Sequence, residues 1–165
     1  MFVIHPLTMK QQGFSLLEIL ITILIVSFGL LGMAALIISG ARSNNIAHYR
    51  SVASKQTEDI ADRMRANRAG LIAGAYDDLA ATTPNSGDCV TGDCSETQIA
   101  TYDHAQWNAA NAQLLPGGVG TVTGTVALGY RITLRWTEKG MNEADLTCPA
   151  GVPANTRCFV TRFAP

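Results

Sequence analysis

Two groups of residues have the types and spacing for chemistry: a glycine and a carboxylate near the start of the chain, and four cysteines in its second half. Gly13 is followed by Phe14, and Glu18 is the single charge between Phe14 and Gly40. A carboxylate inside an apolar run is costly in lipid, which makes it a candidate for pairing with a cation. The cysteines, an even number suited to disulfides, are Cys89, Cys94, Cys148 and Cys158.

The apolar run is long enough to cross a membrane. Residues 14–40 would form a helix of about 40 Å, against a hydrocarbon core of about 30 Å. A buried core helix is the alternative, but such a helix is rarely apolar on every face for so long. Glu18 lies five positions into this segment, where it is either a functional residue or a tolerated residue at headgroup level.

The position of Gly13 distinguishes this segment from a secretory signal peptide. A signal peptide is cleaved at small residues after its apolar run, whereas Gly13–Phe14 lies before it. Cleavage here would remove residues 1–13 as a leader and leave the helix as an anchor. Translation could start at Met1 or at Met9, and Met9 gives the short polar leader MKQQG.

The stretch GFSLLE and the apolar run after it resemble the class III leader of type IV prepilins and type II secretion pseudopilins. The later stretches FGLLGMAAL, WNAANAQLLPGGVGTV and YRITLRW resemble the PilV-like minor pilins. The resemblance implies cleavage after Gly13 by a prepilin peptidase and N-methylation of Phe14. It also implies that Glu18 pairs with the N-terminal amine of a neighbouring subunit.

The same resemblance implies a minor pilin that helps to prime type IV pilus assembly and to display a large tip adhesin, with other minor and major pilins as partners. Adhesion and twitching motility are the associated processes. A minor pseudopilin of a type II secretion system is the alternative, and a membrane-tethered adhesin or binding module is a third. An enzyme is not expected, because no nucleophile or acid motif surrounds His48 or His104. We predict no cofactor and no metal.

Charge is distributed in blocks along the chain. Residues 42–68 contain six cations and three acids, residues 71–130 contain six acids and no Lys or Arg, and residues 131–165 contain five cations and three acids. Such alternation suits side-by-side packing of copies, although an ordinary solvated surface would also explain it. No polybasic footprint for nucleic acid is present.

Four cysteines allow three disulfide pairings, and we predict the pairing of neighbours, Cys89 with Cys94 and Cys148 with Cys158. Zinc is the rival, but these pairs lack C-x2-C-like spacing. A calcium ion in the Asp-rich loop also stays open, although EF-hand spacing is absent. Disulfides need an oxidising compartment, so we place the domain in the periplasm and the N-terminus in the cytoplasm. The positive-inside rule would give the opposite orientation, because Arg42, Arg50 and Lys55 follow the apolar helix and would be placed in the cytoplasm.

The predicted fold is α+β, with the type IV pilin arrangement implied by the resemblance. Residues 1–13 form the leader, 14–40 the membrane or filament-core helix, 41–70 its amphipathic continuation, and 71–165 a periplasmic domain. The long helix is predicted to end near residue 69, with Gly70 at its C-terminal end. A short helix begins at Asp103 as N-cap, with Trp107 as a core anchor. Period-two patterns predict strands at 119–126, 130–136 and 157–163, the first two as a hairpin around Leu128-Gly129. Three or four antiparallel strands pack on the long helix, with a C-terminal disulfide loop.

Processing at Gly13 gives a direct test. We expect Gly13→Val to leave the protein uncut and outside filaments, because a side chain at this position blocks access to the extended backbone. Mass spectrometry of the parent should find methylated Phe14 as the first residue, and any other start would contradict the prediction.

Overall fold

The computed structural model describes residues 13–165, so most of the predicted leader lies outside the described part of the chain. Its helices and strands, in chain order, are α1 Leu16–Ala66, α2 Arg68–Ile72, β1 Asp78–Leu79, α3 Glu96–Leu114, β2 Val119–Thr125, β3 Gly129–Thr137 and β4 Thr156–Phe163. The chain divides into two compact units, one up to Asn45 and the other from Ile46 to Pro165. The predicted α+β architecture is confirmed.

The four strands form one antiparallel sheet in the order β1-β2-β3-β4. Strands β2 and β3 form the predicted hairpin around Leu128, with Thr125 opposite Gly129. Gly129 has a φ of +77°, which a residue with a side chain rarely adopts, and this turn therefore favours glycine. Strand β1 was not predicted, because two residues are too few to show an alternating pattern.

The inner face of the sheet forms the core of the second unit. The predicted alternation along β3 is confirmed, since its four apolar side chains are all buried: Tyr130, Ile132, Leu134 and Trp136. They belong to one apolar cluster with Ile60 and Met64 of α1. The buried residues of α1 recur at helical spacing, at Ala53, Thr57, Ile60, Ala61 and Met64.

The long helix ends earlier than predicted. It stops at Ala66 rather than near residue 69, because the Asn67 side chain accepts the Gly70 N–H and caps the separate helix α2. Gly70 was expected to terminate the long helix, but it lies buried inside α2. The amide of Asn67 also donates to the Glu96 carbonyl at 2.7 Å, a contact 29 residues away. A distant partner therefore decides where the helix breaks.

The prediction of Asp103 as a helix N-cap was wrong. Helix α3 begins seven residues earlier, at Glu96, with Ser95 and Gln98 forming a capping box. Asp103 lies in the helix interior, where it accepts a hydrogen bond from the Tyr76 hydroxyl at 2.6 Å. Burial of Tyr76, together with this bond, raises the pKa of its hydroxyl. Asp103 therefore forms a tertiary contact with Tyr76 and does not cap the helix.

Trp107 of α3 is fully buried, as predicted for a core anchor, and it lies against the backbone of Gly120 in β2. Its indole N–H donates to the Gln56 carbonyl of α1 at 2.8 Å, which fixes the ring. A Cβ on Gly120 would lie 2.2 Å from the Trp107 ring. Glycine at this position is what allows α3 to approach the sheet.

We expect Gly120→Ala to lower the free energy of unfolding by about 2–3 kcal/mol, because the buried ring has nowhere to move. Gly87→Ala is the matched control, since no atom lies within 4 Å of its added Cβ, and it should change stability by about 0.5 kcal/mol or less. Denaturant unfolding of both variants measures the difference. Equal stability of the two would contradict the close packing of Trp107 on β2.

Candidate functional site

The predicted processing residues lie just before the start of α1. Gly13 and Phe14 precede the helix and are exposed, and no atom lies within 4 Å of a Cβ built on Gly13. The Ser15 hydroxyl accepts the Leu17 N–H at 3.3 Å, which caps the first turn. The peptide bond between Gly13 and Phe14 thus lies outside regular structure, in a backbone that a protease could reach.

Glu18 lies in the first turn of α1, with an exposed side chain. A carboxylate near a helix N-terminus is favoured by the partial positive charge of the unpaired N–H groups there. Within residues 13–165, no cationic side chain forms an ion pair with Glu18. The carboxylate is therefore accessible to a cation from another molecule.

The first unit presents an apolar surface around the whole helix. Every residue from 13 to 45 is exposed, and α1 contains the one helical stretch of the described chain that is long and apolar enough to cross a membrane. The hydroxyls of Thr22 and Ser27 donate to carbonyls one turn earlier, those of Glu18 and Ile23. These polar groups are satisfied within the helix, as lipid or an apolar protein environment requires.

The cysteines of the second unit form two disulfides, Cys89–Cys94 and Cys148–Cys158, with no free cysteine. The first closes an exposed loop, in which the Asp88 carboxylate accepts hydrogen bonds from the Thr91 hydroxyl and the Val90 N–H. The second ties the loop before β4 to a buried cysteine of that strand.

The loop before β4 is also held by a group of ion pairs that was not predicted from the sequence. The Arg157 guanidinium binds Glu138 with two nitrogens and donates to Asp145 at 3.1 Å. The pKa of Asp145 is lowered, first by the N–H of Thr147 and then by its hydroxyl and the charge of Arg157. Glu138 and Arg157 are 19 residues apart in the chain, and no local pattern in a single sequence links them.

The histidines of the described chain lie apart from one another. His48 is exposed on α1, and the His104 Nε2 lies 2.9 Å from the Ala80 carbonyl in a buried position. Burial lowers the pKa of His104. Between residues 13 and 165, no three His, Cys, Asp or Glu side chains cluster closely enough to hold a metal ion.

These features define a class of protein: a subunit with an apolar N-terminal anchor and an α+β domain stapled by disulfides. Two family models match the chain. Residues 8–34 match the prokaryotic N-terminal methylation motif, and residues 35–105 match the family described as type IV pilin Tt1218. The two matches and the fold together support a type IV pilin. No curated protein and no solved structure matches the chain.

The two disulfides should differ in their effect on β4. Loop entropy suggests a loss of about 2 kcal/mol for a Cys89→Ser/Cys94→Ser variant and about 3 kcal/mol for Cys148→Ser/Cys158→Ser. The second pair anchors the last strand, so its removal should also accelerate amide hydrogen exchange in residues 156–163. The first variant is the control and should leave exchange in that strand unchanged. Faster exchange there in the first variant, or non-reducing peptide maps with crossed pairs, would contradict the assignment.

Proposed function

We propose that this chain is a minor pilin that takes part in priming and assembling a type IV pilus. A prepilin peptidase would cleave after Gly13, and Phe14 would be N-methylated and become the first residue of the mature subunit. The match of residues 8–34 to the methylation motif supports this processing. The exposed, unstructured backbone at Gly13 and Phe14 is consistent with it.

The partners would be the inner membrane first and other minor and major pilins later. The N-terminus would lie in the cytoplasm and the second unit in the periplasm, where two disulfides are chemically stable. Once the anchor leaves the membrane, its exposed apolar side chains need a new apolar environment, because their hydration is unfavourable. The helices of neighbouring subunits would supply it in a filament core.

Glu18 would select the docking geometry in this core. A carboxylate in a low-dielectric environment needs a cation, and the apolar helix contains none between Phe14 and Gly40. Cleavage at Gly13 creates an amine on Phe14. The amine of one subunit and the Glu18 carboxylate of its neighbour would neutralise each other and fix their axial register.

The proposed location is the pilus, at or near its tip, where the minor pilins would help to display a large adhesin. The matched pilin family is itself structural.

The Glu18 mechanism is tested by Glu18→Val. Membrane insertion, leader cleavage and folding of the second unit should persist, since the transfer of a Val side chain into lipid is favourable. Recruitment into filaments should fall by about tenfold or more, because a loss of only about 1.4 kcal/mol in docking already has this effect. The amount of the subunit in sheared filaments, and its co-purification with other pilins, are the quantities to measure.

Two further variants make this test specific. Glu18→Gln keeps the shape of the side chain without its charge and should fail like the Val variant. Thr22→Val adds an apolar side chain one turn away and should assemble like the parent, because the Thr22 hydroxyl bonds only to its own helix. Normal incorporation of Glu18→Val would reject the pairing mechanism for this subunit.

A further inference from the structure

The outer face of the sheet contains an unfavourable pair of like charges. Arg131 of β3 and Arg162 of β4 are direct cross-strand partners, and both side chains are exposed. Like charges directly opposite each other destabilise a sheet. Neither arginine forms an ion pair with any acid in residues 13–165. The sheet therefore presents two uncompensated positive charges on adjacent strands.

These two arginines border a cavity of about 420 Å³ at the hairpin end of the sheet. Apolar residues contribute to its walls: Phe163 ends β4, and Leu128 of the β2–β3 turn is 89% exposed. An occupant that fits these walls combines negative charge with a small apolar group.

The chain itself offers a segment with these properties. The disulfide Cys89–Cys94 closes a loop just before α3, and the acids in or beside this loop, Asp88, Asp93 and Glu96, are exposed. Val90, at the tip of the loop, is 76% exposed. No ion pair joins the acids of this loop to a cation in the described chain. The hydrogen bonds from Thr91 and Val90 lower the pKa of Asp88.

We propose that the acidic disulfide loop of one copy docks on the arginine pair of a second copy. Asp93 and Glu96 would neutralise Arg131 and Arg162, and Val90 would enter the cavity beside Leu128. The proposal rests on the proposed function, in that it names a domain contact between assembled subunits. Loop and cavity are different surfaces of one chain, so the contact is head-to-tail and each copy can bind a further one.

The energetics favour an occupied cavity. An exposed ion pair alone contributes about 0–1 kcal/mol. Here docking would also remove the repulsion between Arg131 and Arg162 and bury apolar surface of Val90 and Leu128. The disulfide holds the loop in one closed conformation, which reduces the entropy lost on binding.

Photo-crosslinking of the full-length chain in detergent micelles tests the contact. A photoreactive residue is placed at position 128, and isotopically labelled and unlabelled chains are mixed, so that crosslinks between copies are distinguished from those within one. We expect intermolecular crosslinks to peptides that contain residues 88–96. Crosslinks to other segments, or none between copies, would overturn the proposal.

Charge-reversal variants, measured in the same crosslinking assay, provide a second test of the contact. Arg131→Glu/Arg162→Glu should reduce the crosslink about tenfold, and Asp93→Lys/Glu96→Lys should do the same. A mixture of these two variants should restore it, because the charges are again complementary; failure to restore it would overturn the proposal. Arg131→Gln/Arg162→Gln, which removes the repulsion without creating new charge, should fold and still lose most of the crosslink.

Lys55→Glu/Arg68→Glu is the matched control, because both side chains are exposed and without ion pairs in the described structure. This variant has the same change in net charge and should crosslink like the parent. The assay reads a contact between copies in micelles and does not depend on filament incorporation. A failure of the Glu18 mechanism and a failure of the loop contact would therefore be distinguished.

Discussion

The second unit depends on the burial of one sheet face against one stripe of α1. Ile60 and Met64 are fully buried in the same cluster as Ile132 and Leu134 of β3. The remaining structure is arranged around this contact: α3 places Trp107 against Gly120 and hydrogen-bonds its indole to the carbonyl of Gln56. A strand pair without such a helix would be at best marginally stable in water. The amphipathic half of α1 is thus part of the domain core.

The ends of this core are secured by polar and covalent ties rather than by further apolar area. The Cys148–Cys158 disulfide and the contacts of Arg157 with Glu138 and Asp145 hold the same loop against β4. Arg157 has only 17% of its side chain exposed, so its two carboxylate partners are needed to offset its desolvation. The disulfide constrains the unfolded chain, whereas the ion pairs act in the folded one.

The first unit is subject to a different constraint. Its side chains from residue 13 to 45 are all exposed in the isolated chain, and most of them are apolar. Such a surface is stable only in lipid or against other apolar helices. In either environment buried hydroxyls need partners, and the Thr22 and Ser27 hydroxyls find them in carbonyls of their own helix.

Several features were determined by the sequence alone. The apolar run indicates a membrane-spanning helix without any coordinates, because length and hydropathy are local properties, and the resemblance of GFSLLE to prepilin leaders implies a pilin. The alternation along β3 and the turn at Gly129 likewise predicted the hairpin, since side-chain direction in a strand follows from a period of two.

Only the tertiary structure decided the features that depend on distant partners. Asp103 has the residue type of a helix cap, yet it is buried inside α3 because Tyr76 and Arg63 supply donors from elsewhere in the chain. Strand β1 exists because Leu79 pairs with Val122. The opposition of Arg131 and Arg162 follows from the register of β3 on β4, two strands that residues 138–155 separate in sequence. Strand register and the burial of a polar residue such as Asp103 are set by contacts between remote segments, which a local pattern does not reveal.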